Sequence, residues 1–223
     1  MYRALVVDDE EDILELLQYN LEKEGFIVQT AADGVKAVKL AKTFQPDLIL
    51  LDIMMPEQDG VETCRQMREI SETKNAYIIF LTARSEEYSE VAAFEAGADD
   101  YITKPVKPRA LASRIQAMFR REAKKNEETP VITVGGLEIN RNSYQAVVNG
   151  NVMYLPKKEF ELLYFFASHP NRVFSREELL EQIWGADVYV LARTVDVHVR
   201  KLREKIGEGY IVTIKGIGYK FEA

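Results

Sequence analysis

An uninterrupted apolar run, Leu48 to Leu51, ends at the carboxylate of Asp52. Because no polar residue alternates with the apolar ones, the run is typical of a strand buried on both faces, as in a parallel α/β sheet. The carboxyl ends of such strands lie along one edge of the sheet, where ligands bind. Asp52 is therefore predicted to lie at a ligand-binding edge.

Other predicted strands also end at polar residues. These are Asp8 and Asp9 after Ala4 to Val7, Thr82 after Tyr77 to Leu81, and Lys104 after Asp100 to Thr103. Clustered carboxylates favour raised pKa values or a bound divalent cation, and oxygen ligands alone favour Mg²⁺. A carboxylate such as Asp52 can accept a phosphoryl group, whose oxygens Lys104 and Thr82 could hold. One such acid would indicate only a solvated strand end, whereas the whole set indicates a phosphoryl site.

Residues 1–121 repeat a strand followed by an amphipathic helix. The predicted helices are Glu11 to Glu24, Val35 to Phe44, Val61 to Ile70, Glu87 to Ala96 and Arg109 to Arg121, and one more strand covers Phe26 to Thr30. Five strand–helix units in about 120 residues predict a doubly wound α/β domain with a flavodoxin-like order of five parallel strands.

The pattern changes after residues 122–130, a charged segment that is predicted to be a linker. Residues 131–223 read as short strands, then three helices, then a hairpin. The predicted strands are Ile132 to Val134, Leu137 to Ile139, Gln145 to Val148 and Val152 to Tyr154; the helices are Lys157 to Ser168, Arg176 to Trp184 and Ala192 to Ile206; the hairpin is Tyr210 to Ile214 with Tyr219 to Phe221. This arrangement predicts an α+β winged helix-turn-helix domain.

Charge and composition limit the class of protein. The net charge is −8 over residues 1–122 and +1 over residues 123–223, and Arg193 to Lys205 alone carries +3, which is compatible with nucleic-acid binding. The single Cys64 lies on the apolar stripe of a predicted helix and is interpreted as core, which favours a reducing compartment. No apolar run approaches the roughly 20 residues of a membrane span. We expect a cytoplasmic protein that does not contact membrane.

The first domain resembles the receiver domain of two-component response regulators. The resemblance rests on Asp8-Asp9, on LLDIMMPEQDG around Asp52, on Thr82-Ala83 and on GADDYITKP from Gly97 to Pro105. It implies that Asp52 accepts phosphate from a sensor histidine kinase. It also implies Mg²⁺ held by Asp9, Asp52 and the Met54 carbonyl and, through water, by Asp8. Thr82 and Tyr101 match the switch residues, although Tyr101 equally suits a half-buried strand aromatic, and Lys104-Pro105 matches a cis peptide.

The second domain resembles the effector of the OmpR/PhoB subfamily. The matching segments are LPKKEFELL, SREELLEQIWG, RTVDVHVRKLREKIG and VTIKGIGYKF. In the predicted recognition helix, Val195, Val199, Leu202 and Ile206 follow the spacing of a buried stripe, and basic residues project elsewhere. By resemblance, the DNA contacts are Arg193 and Arg200 to phosphates, Lys201 and Arg203 to base edges, Thr194 and His198 to the backbone, and Thr213 and Lys215 from the wing. Val197 could contact a thymine methyl or be a lone exposed valine.

The same resemblance predicts a homodimer of phosphorylated receivers. The matching interface positions are Asp99, Asp100, Arg114 and Arg121, whereas Glu90 and Ala110 depart from a common cross-dimer pair. Further departures are Val106 and the lysines Lys201 and Lys215 at positions that are often arginine. Lysine cannot form the bidentate fork that arginine makes to guanine.

We expect a phosphorylation-controlled transcription regulator that binds direct repeats of DNA and acts on RNA polymerase, and not an enzyme beyond its own phosphoryl transfer and dephosphorylation. Alternatives are a regulator that binds DNA independently of phosphorylation, a protein-interaction module, and a phosphohydrolase with an aspartyl nucleophile. The phosphohydrolase is disfavoured because Met54 stands where a second acid would support it.

Overall fold

The computed structural model describes residues 1–82, 92–125, 131–185 and 192–222, and the side chains of all of these except residues 121–125. The chain divides into two compact units, Met1–Lys125 and Asn126–Ala223. Within the described ranges, no helix combines the length and apolar composition of a bilayer-spanning segment.

The first unit alternates strands and helices around one parallel sheet. Its elements are β1 (Arg3–Val7), α1 (Glu11–Lys23), β2 (Ile27–Ala31), α2 (Gly34–Phe44), β3 (Leu48–Asp52), α3 (Gly60–Glu69), β4 (Tyr77–Thr82), α4 (described over residues 92–95), β5 (Asp100–Thr103) and α5 (Pro108–Lys125). The strand order β2-β1-β3-β4-β5 confirms the flavodoxin-like fold. With this order, β1 and β3 are neighbours and their carboxyl ends meet.

Apolar side chains hold the helices against the sheet. Every residue of β3 is buried, as its unbroken apolar run predicts. On one face, Leu17 of α1 and Phe119 of α5 pack with Leu50 of β3 in a single core cluster. The Cys64 thiol is buried, which confirms its interpretation as core.

One helix boundary in the first unit differs from the sequence-based prediction, and another lies outside the described residues. Helix α5 extends to Lys125 instead of ending at Arg121, so residues 122–125 of the predicted linker are helical. Residues 87–91 of the predicted fourth helix lie outside the described residues. The linker itself stays a prediction.

In its described residues, 131–185 and 192–222, the second unit contains two antiparallel sheets and three helices. Its elements are β6 (Val131–Val134), β7 (Leu137–Asn140), β8 (Gln145–Val148), β9 (Asn151–Tyr154), α6 (Lys157–Ser168), β10 (Val173–Ser175), α7 (Arg176–Ile183), α8 (Thr194–Ile206), β11 (Ile211–Ile214) and β12 (Gly218–Phe221). The sheets have the orders β6-β7-β8-β9 and β10-β12-β11. Three helices followed by the β11–β12 hairpin confirm the winged helix-turn-helix prediction.

Strand β10 was not predicted, because three residues are too few to show the alternation that identifies a strand. Its last residue, Ser175, pairs with Gly218 of β12. The Ser175 hydroxyl also accepts a hydrogen bond from the Glu178 amide at 3.1 Å and so caps α7. The Glu178 carboxylate accepts from the Ser175 amide, which completes a capping box. The wing is therefore joined to the helical part through Ser175.

Candidate functional site

The Lys104 ammonium lies between two carboxylates at the carboxyl edge of the parallel sheet. Its Nζ is 2.8 Å from Asp8 Oδ2 and 2.9 Å from Asp52 Oδ1. Glu10 Oε1 is farther away, at 3.4 Å. The ends of β1, β3 and β5 therefore converge as the sequence predicted, with Lys104 as their common cation.

Asp52 is held by a hydrogen bond as well as by this ion pair. Its carboxylate is 4% exposed, and Oδ2 accepts a hydrogen bond from the Met54 amide at 2.7 Å. Burial raises the pKa of Asp52, because desolvation disfavours the charged form more than Lys104 favours it. Burial alone would lower the pKa of Lys104, but its close contacts with the carboxylates of Asp8 and Asp52 raise that pKa above its usual range. Lys104 is therefore a fixed positive charge beside a carboxylate that is partly desolvated.

Thr82 and the Lys104-Pro105 peptide complete this edge. The peptide is cis, as the resemblance implied. The Lys104 amide donates to the Thr82 carbonyl at 2.6 Å, and Thr82 pairs with Thr103 across β4 and β5. Tyr101 is buried, with its ring edge-on to Phe94 at a centroid distance of 5.8 Å. The two predicted switch residues thus lie on neighbouring strands.

Only some of the predicted Mg²⁺ ligands lie close together at this edge of the sheet. Asp8 is buried, Asp9 is exposed, and in the described parts of the chain no three His, Cys, Asp or Glu side chains converge to hold a metal. The donor set nevertheless fits a cation: Asp8 Oδ2 is buried and receives no hydrogen bond of good geometry, although Lys104 lies 2.8 Å away. One ammonium faces the carboxylates of Asp8, Glu10 and Asp52, so the local charge is negative. An oxygen-seeking divalent cation would offset this charge.

In the second unit, helix α8 has a buried face and a solvent-facing side. The predicted apolar stripe is buried: Val195, Val199, Leu202 and Ile206. Arg200 is exposed and pairs with Glu204 within the helix at 2.7 Å, whereas Arg193, Val197 and Lys201 are partly buried. Burial lowers the pKa of Lys201. The helix therefore divides as a recognition helix requires.

Arg203 contacts the wing, although the resemblance placed it at a base edge. Its Nε and Nη2 donate to the Ile211 carbonyl at 2.9 and 2.7 Å. Its Nη2 also donates to the Thr213 hydroxyl at 2.8 Å, so this wing residue is engaged as well. A base contact by Arg203 would require these bonds to break.

Thr194 and His198 are buried, and each is only 2% exposed. His198 Nδ1 lies 2.9 Å from the Thr194 carbonyl, and its ring is edge-on to Trp184. A DNA contact at these positions would use little of either side chain. Lys215, in contrast, is exposed at the turn of the wing.

Two family descriptions match most of the chain. Residues 4–116 match "Response regulator receiver domain", and residues 150–221 match "Transcriptional regulatory protein, C terminal". The "Alkaline phosphatase synthesis transcriptional regulatory protein PhoP" of Bacillus subtilis is 44% identical over 99% of this chain and 96% of its own length. The chain belongs to the OmpR/PhoB family of response regulators.

Further relatives align with nearly the whole chain. The "Phosphate regulon transcriptional regulatory protein PhoB" of Escherichia coli K12 is 42% identical, over 98% of this chain and 97% of its own. Among solved structures, the OmpR/PhoB homologue DrrB of Thermotoga maritima is 34% identical with a TM-score of 0.52. A RitR mutant is 28% identical with a TM-score of 0.80, and both structures cover 100% of each chain. This response regulator thus has a receiver and a DNA-binding domain, consistent with phosphorylation-controlled transcription.

Asp99 is placed differently from its predicted role at the dimer interface of the response regulator. It is 0% exposed, and its Oδ2 accepts from Arg68 Nη2 at 2.7 Å and from the Ile78 amide at 2.9 Å. The sequence does not reveal that Arg68 of α3 reaches this carboxylate, and the interface role of Asp99 stays a prediction. Asp100 instead pairs with Arg114 of α5 at 3.1 Å, on the same chain. The Arg121 side chain lies outside the described residues.

Sequence reasoning missed Glu10 and Gly60 at the receiver site. Glu10 lies within 3.4 Å of Lys104, and its position directly after Asp8 and Asp9 was the available signal. Gly60 begins α3, and its amide donates to the Ile53 carbonyl at 3.0 Å, next to Asp52. Its signal was the Asp-Gly pair at the end of the motif that contains Asp52.

Proposed function

We propose that Asp52 accepts a phosphoryl group from a sensor histidine kinase, and that this step controls DNA binding by the second domain. The observation that carries the proposal is the Lys104 ammonium between Asp8 and Asp52, at 2.8 and 2.9 Å. A fixed cation beside a desolvated carboxylate suits a site that receives further negative charge. Membership of the response regulators supports the same role.

The chemical step is a displacement at phosphorus. The nitrogen–phosphorus bond of a kinase phosphohistidine breaks as an Asp52 oxygen forms the new oxygen–phosphorus bond, and the electron pair stays on the histidine nitrogen. Lys104 binds one phosphoryl oxygen by charge, and Thr82 binds another by its hydroxyl. Asp8, Asp9, Asp52 and the Met54 carbonyl would hold Mg²⁺, which offsets the charge of the phosphoryl oxygens when bound.

The response to phosphorylation runs through the switch residues. Thr82 lies 6% exposed at the end of β4 and turns toward the added phosphoryl group, and Tyr101 of β5 follows it. The receivers then pair as a homodimer through a face that includes Asp100, Arg114 and Arg121. Asp99, the fourth predicted position, joins this face by exchanging its partner Arg68.

The second domain reads DNA through α8 and the wing. Arg193 and Arg200 contact phosphates, Lys201 and Val197 contact bases in the major groove, and Lys215 enters the minor groove. Thr194 and His198 position the start of α8. Pairing of receivers raises the effective concentration of two such domains on adjacent half-sites, where they act on RNA polymerase.

Loss of the acceptor tests the proposal. Asp52→Asn should abolish acyl-phosphate labelling by acetyl phosphate and Mg²⁺, because an amide oxygen is a poor nucleophile, as read by intact-protein mass spectrometry. Asp12→Asn is the matched control, since Asp12 is an exposed acid on α1. Undiminished labelling of the Asp52→Asn protein would refute the assignment. Equal DNA affinity with and without beryllofluoride, in a gel-shift, would instead support the phosphorylation-independent regulator.

A further inference from the structure

Gly60 occupies a position where its lack of a side chain, and not its backbone freedom, is required. It is the first residue of α3, directly after the cap residue Asp59, whose side chain accepts from the Glu62 amide at 2.8 Å. Gly60 does not have a positive φ, so other residues could adopt its conformation. Glycine is about 1 kcal/mol less favourable than alanine within a helix. A steric reason is therefore needed for glycine here.

That reason is the backbone of the proposed phosphoacceptor. A Cβ on Gly60 would lie 2.1 Å from the Asp52 carbonyl oxygen, 2.9 Å from Ile53 Cα and 3.0 Å from the Asp52 carbonyl carbon. All three are backbone atoms, so no side-chain rotation can relieve the contact. Ordinary contact would require the end of β3 and the start of α3 to separate by about 1 Å.

We infer that Gly60 is a positioning residue that sets the place of the Asp52 carboxylate relative to Lys104. This inference rests on the proposed phosphoacceptor role of Asp52. The carboxylate makes two short contacts, Oδ1 to Lys104 Nζ at 2.9 Å and Oδ2 to the Met54 amide at 2.7 Å. A shift of the Asp52 backbone by about 1 Å exceeds the tolerance of such contacts. Any side chain at residue 60 would therefore move the Asp52 carboxylate relative to Lys104. The chemical identity of the acceptor would stay the same.

The chain contains a matched control in Gly34. Gly34 is also the first residue of a helix, α2, and follows a capping aspartate, Asp33, whose side chain accepts from the Lys36 amide at 2.7 Å. A Cβ there would also meet an atom at 2.1 Å, but that atom is Oγ1 of the Thr63 side chain, and the nearest backbone atom is the Gln58 carbonyl oxygen at 3.0 Å. Gly34→Ala therefore reproduces the substitution and the crowding without pressing on Asp52.

The test compares the labelling rate per folded molecule in the full chain. With acetyl phosphate and Mg²⁺, we expect Gly60→Ala to slow acyl-phosphate formation by up to about 100-fold, and Gly34→Ala to leave it within twofold of wild type. Circular dichroism gives the folded fraction, which trimethylamine N-oxide restores if the variant is unstable. In NMR spectra, the amide resonance of Met54 is sensitive to the position of the Asp52 carboxylate, which accepts its hydrogen bond. We expect this resonance to shift in Gly60→Ala and not in Gly34→Ala.

Three outcomes would overturn the inference. These are a wild-type labelling rate in Gly60→Ala, an equal slowing in both variants, and a Gly60→Ala chain that stays unfolded in trimethylamine N-oxide, since the glycine would then serve folding alone. Failure of the underlying function has a different signature: the wild-type chain itself would not be labelled, or Asp52→Asn would be labelled equally.

Discussion

One arginine joins several segments of the receiver near the amino ends of β4 and β5. Arg68 of α3 donates to the carbonyls of Gly97 at 2.8 Å and Ala76 at 2.7 Å, and it pairs with Asp99 at 2.7 Å. It thereby links α3 to the segments that precede β4 and β5. Because Asp99 is fully buried, Arg68 is the cation that compensates its carboxylate.

Removal of this arginine should be costly to stability. We expect Arg68→Ala to lower the free energy of unfolding by about 3–5 kcal/mol, because it leaves a buried carboxylate without its cation. Urea denaturation followed by circular dichroism measures this value. The control is Arg65→Ala: Arg65 pairs with Glu62 at the surface at 3.5 Å, and such a pair contributes only about 0–1 kcal/mol. Equal losses in the two variants would contradict the role given to Asp99.

Among secondary-structure elements, α8 and the wing are joined near both ends of the helix. Near its start, Asp196 Oδ1 accepts from Tyr219 Oη of β12 at 2.5 Å and from Arg176 Nε of α7 at 2.7 Å. Near its end, Arg203 donates to the Ile211 carbonyl of β11. These contacts fix the orientation of the wing relative to the recognition helix.

Two neighbouring basic residues should therefore affect DNA binding differently. We expect Arg203→Ala to weaken binding to all sequences alike, because the wing loses its anchor. Lys201→Ala should instead relax base preference, with a loss of about 1–3 kcal/mol of discrimination at one position. Fluorescence anisotropy on the preferred site and its single-base variants separates the two. A base-specific loss in Arg203→Ala would restore the original assignment of Arg203 to a base edge.

The sequence predicted those elements whose signal is local. Strand β3 and its neighbours carry unbroken apolar runs, which predict the strands themselves. The repeat of strand and helix then predicts the strand order, and with it the edge at which the polar residues meet. Strand β10 was not predicted because it has only three residues and is defined by its pairing with β12. The partners of Asp99 and Arg203 could not be predicted for a related reason. Arg68 and Ile211 reach them through tertiary contacts, which no spacing rule encodes.

At the scale of the whole molecule, the proposed homodimer and the proposed direct repeats on DNA have different symmetries. A homodimer of receivers uses the same surface twice about a two-fold axis, whereas direct repeats on DNA are related by translation. The segment between α5 and β6 must therefore allow the DNA-binding domains to take an arrangement that differs from the two-fold symmetry of the receivers. Helix α5 ends at Lys125 and β6 begins at Val131, so the connecting peptide units reach at most about 20 Å. Such a short link suits adjacent half-sites only.

We accordingly expect the beryllofluoride-loaded protein to select two direct repeats about one helical turn, or 34 Å, apart. Selection from a random DNA library, followed by sequencing, measures this preference. The Asp52→Asn protein, which should not respond to beryllofluoride as the wild type does, is the control. Enrichment of inverted repeats, or of single half-sites alone, would show that the effector arrangement is wrong.

Ser175 has a mechanical consequence for the wing. It is the last residue of β10, paired with Gly218 at the base of the wing, and it is also the cap of α7. A Cβ on Gly218 would meet the Phe174 carbonyl oxygen at 2.0 Å, so the two strands touch closely at this point. Load applied at the tip of the wing, where Ile217 is exposed, passes through these hydrogen bonds into a helix. We therefore expect the wing to move as one body with α7 and not to hinge at its base.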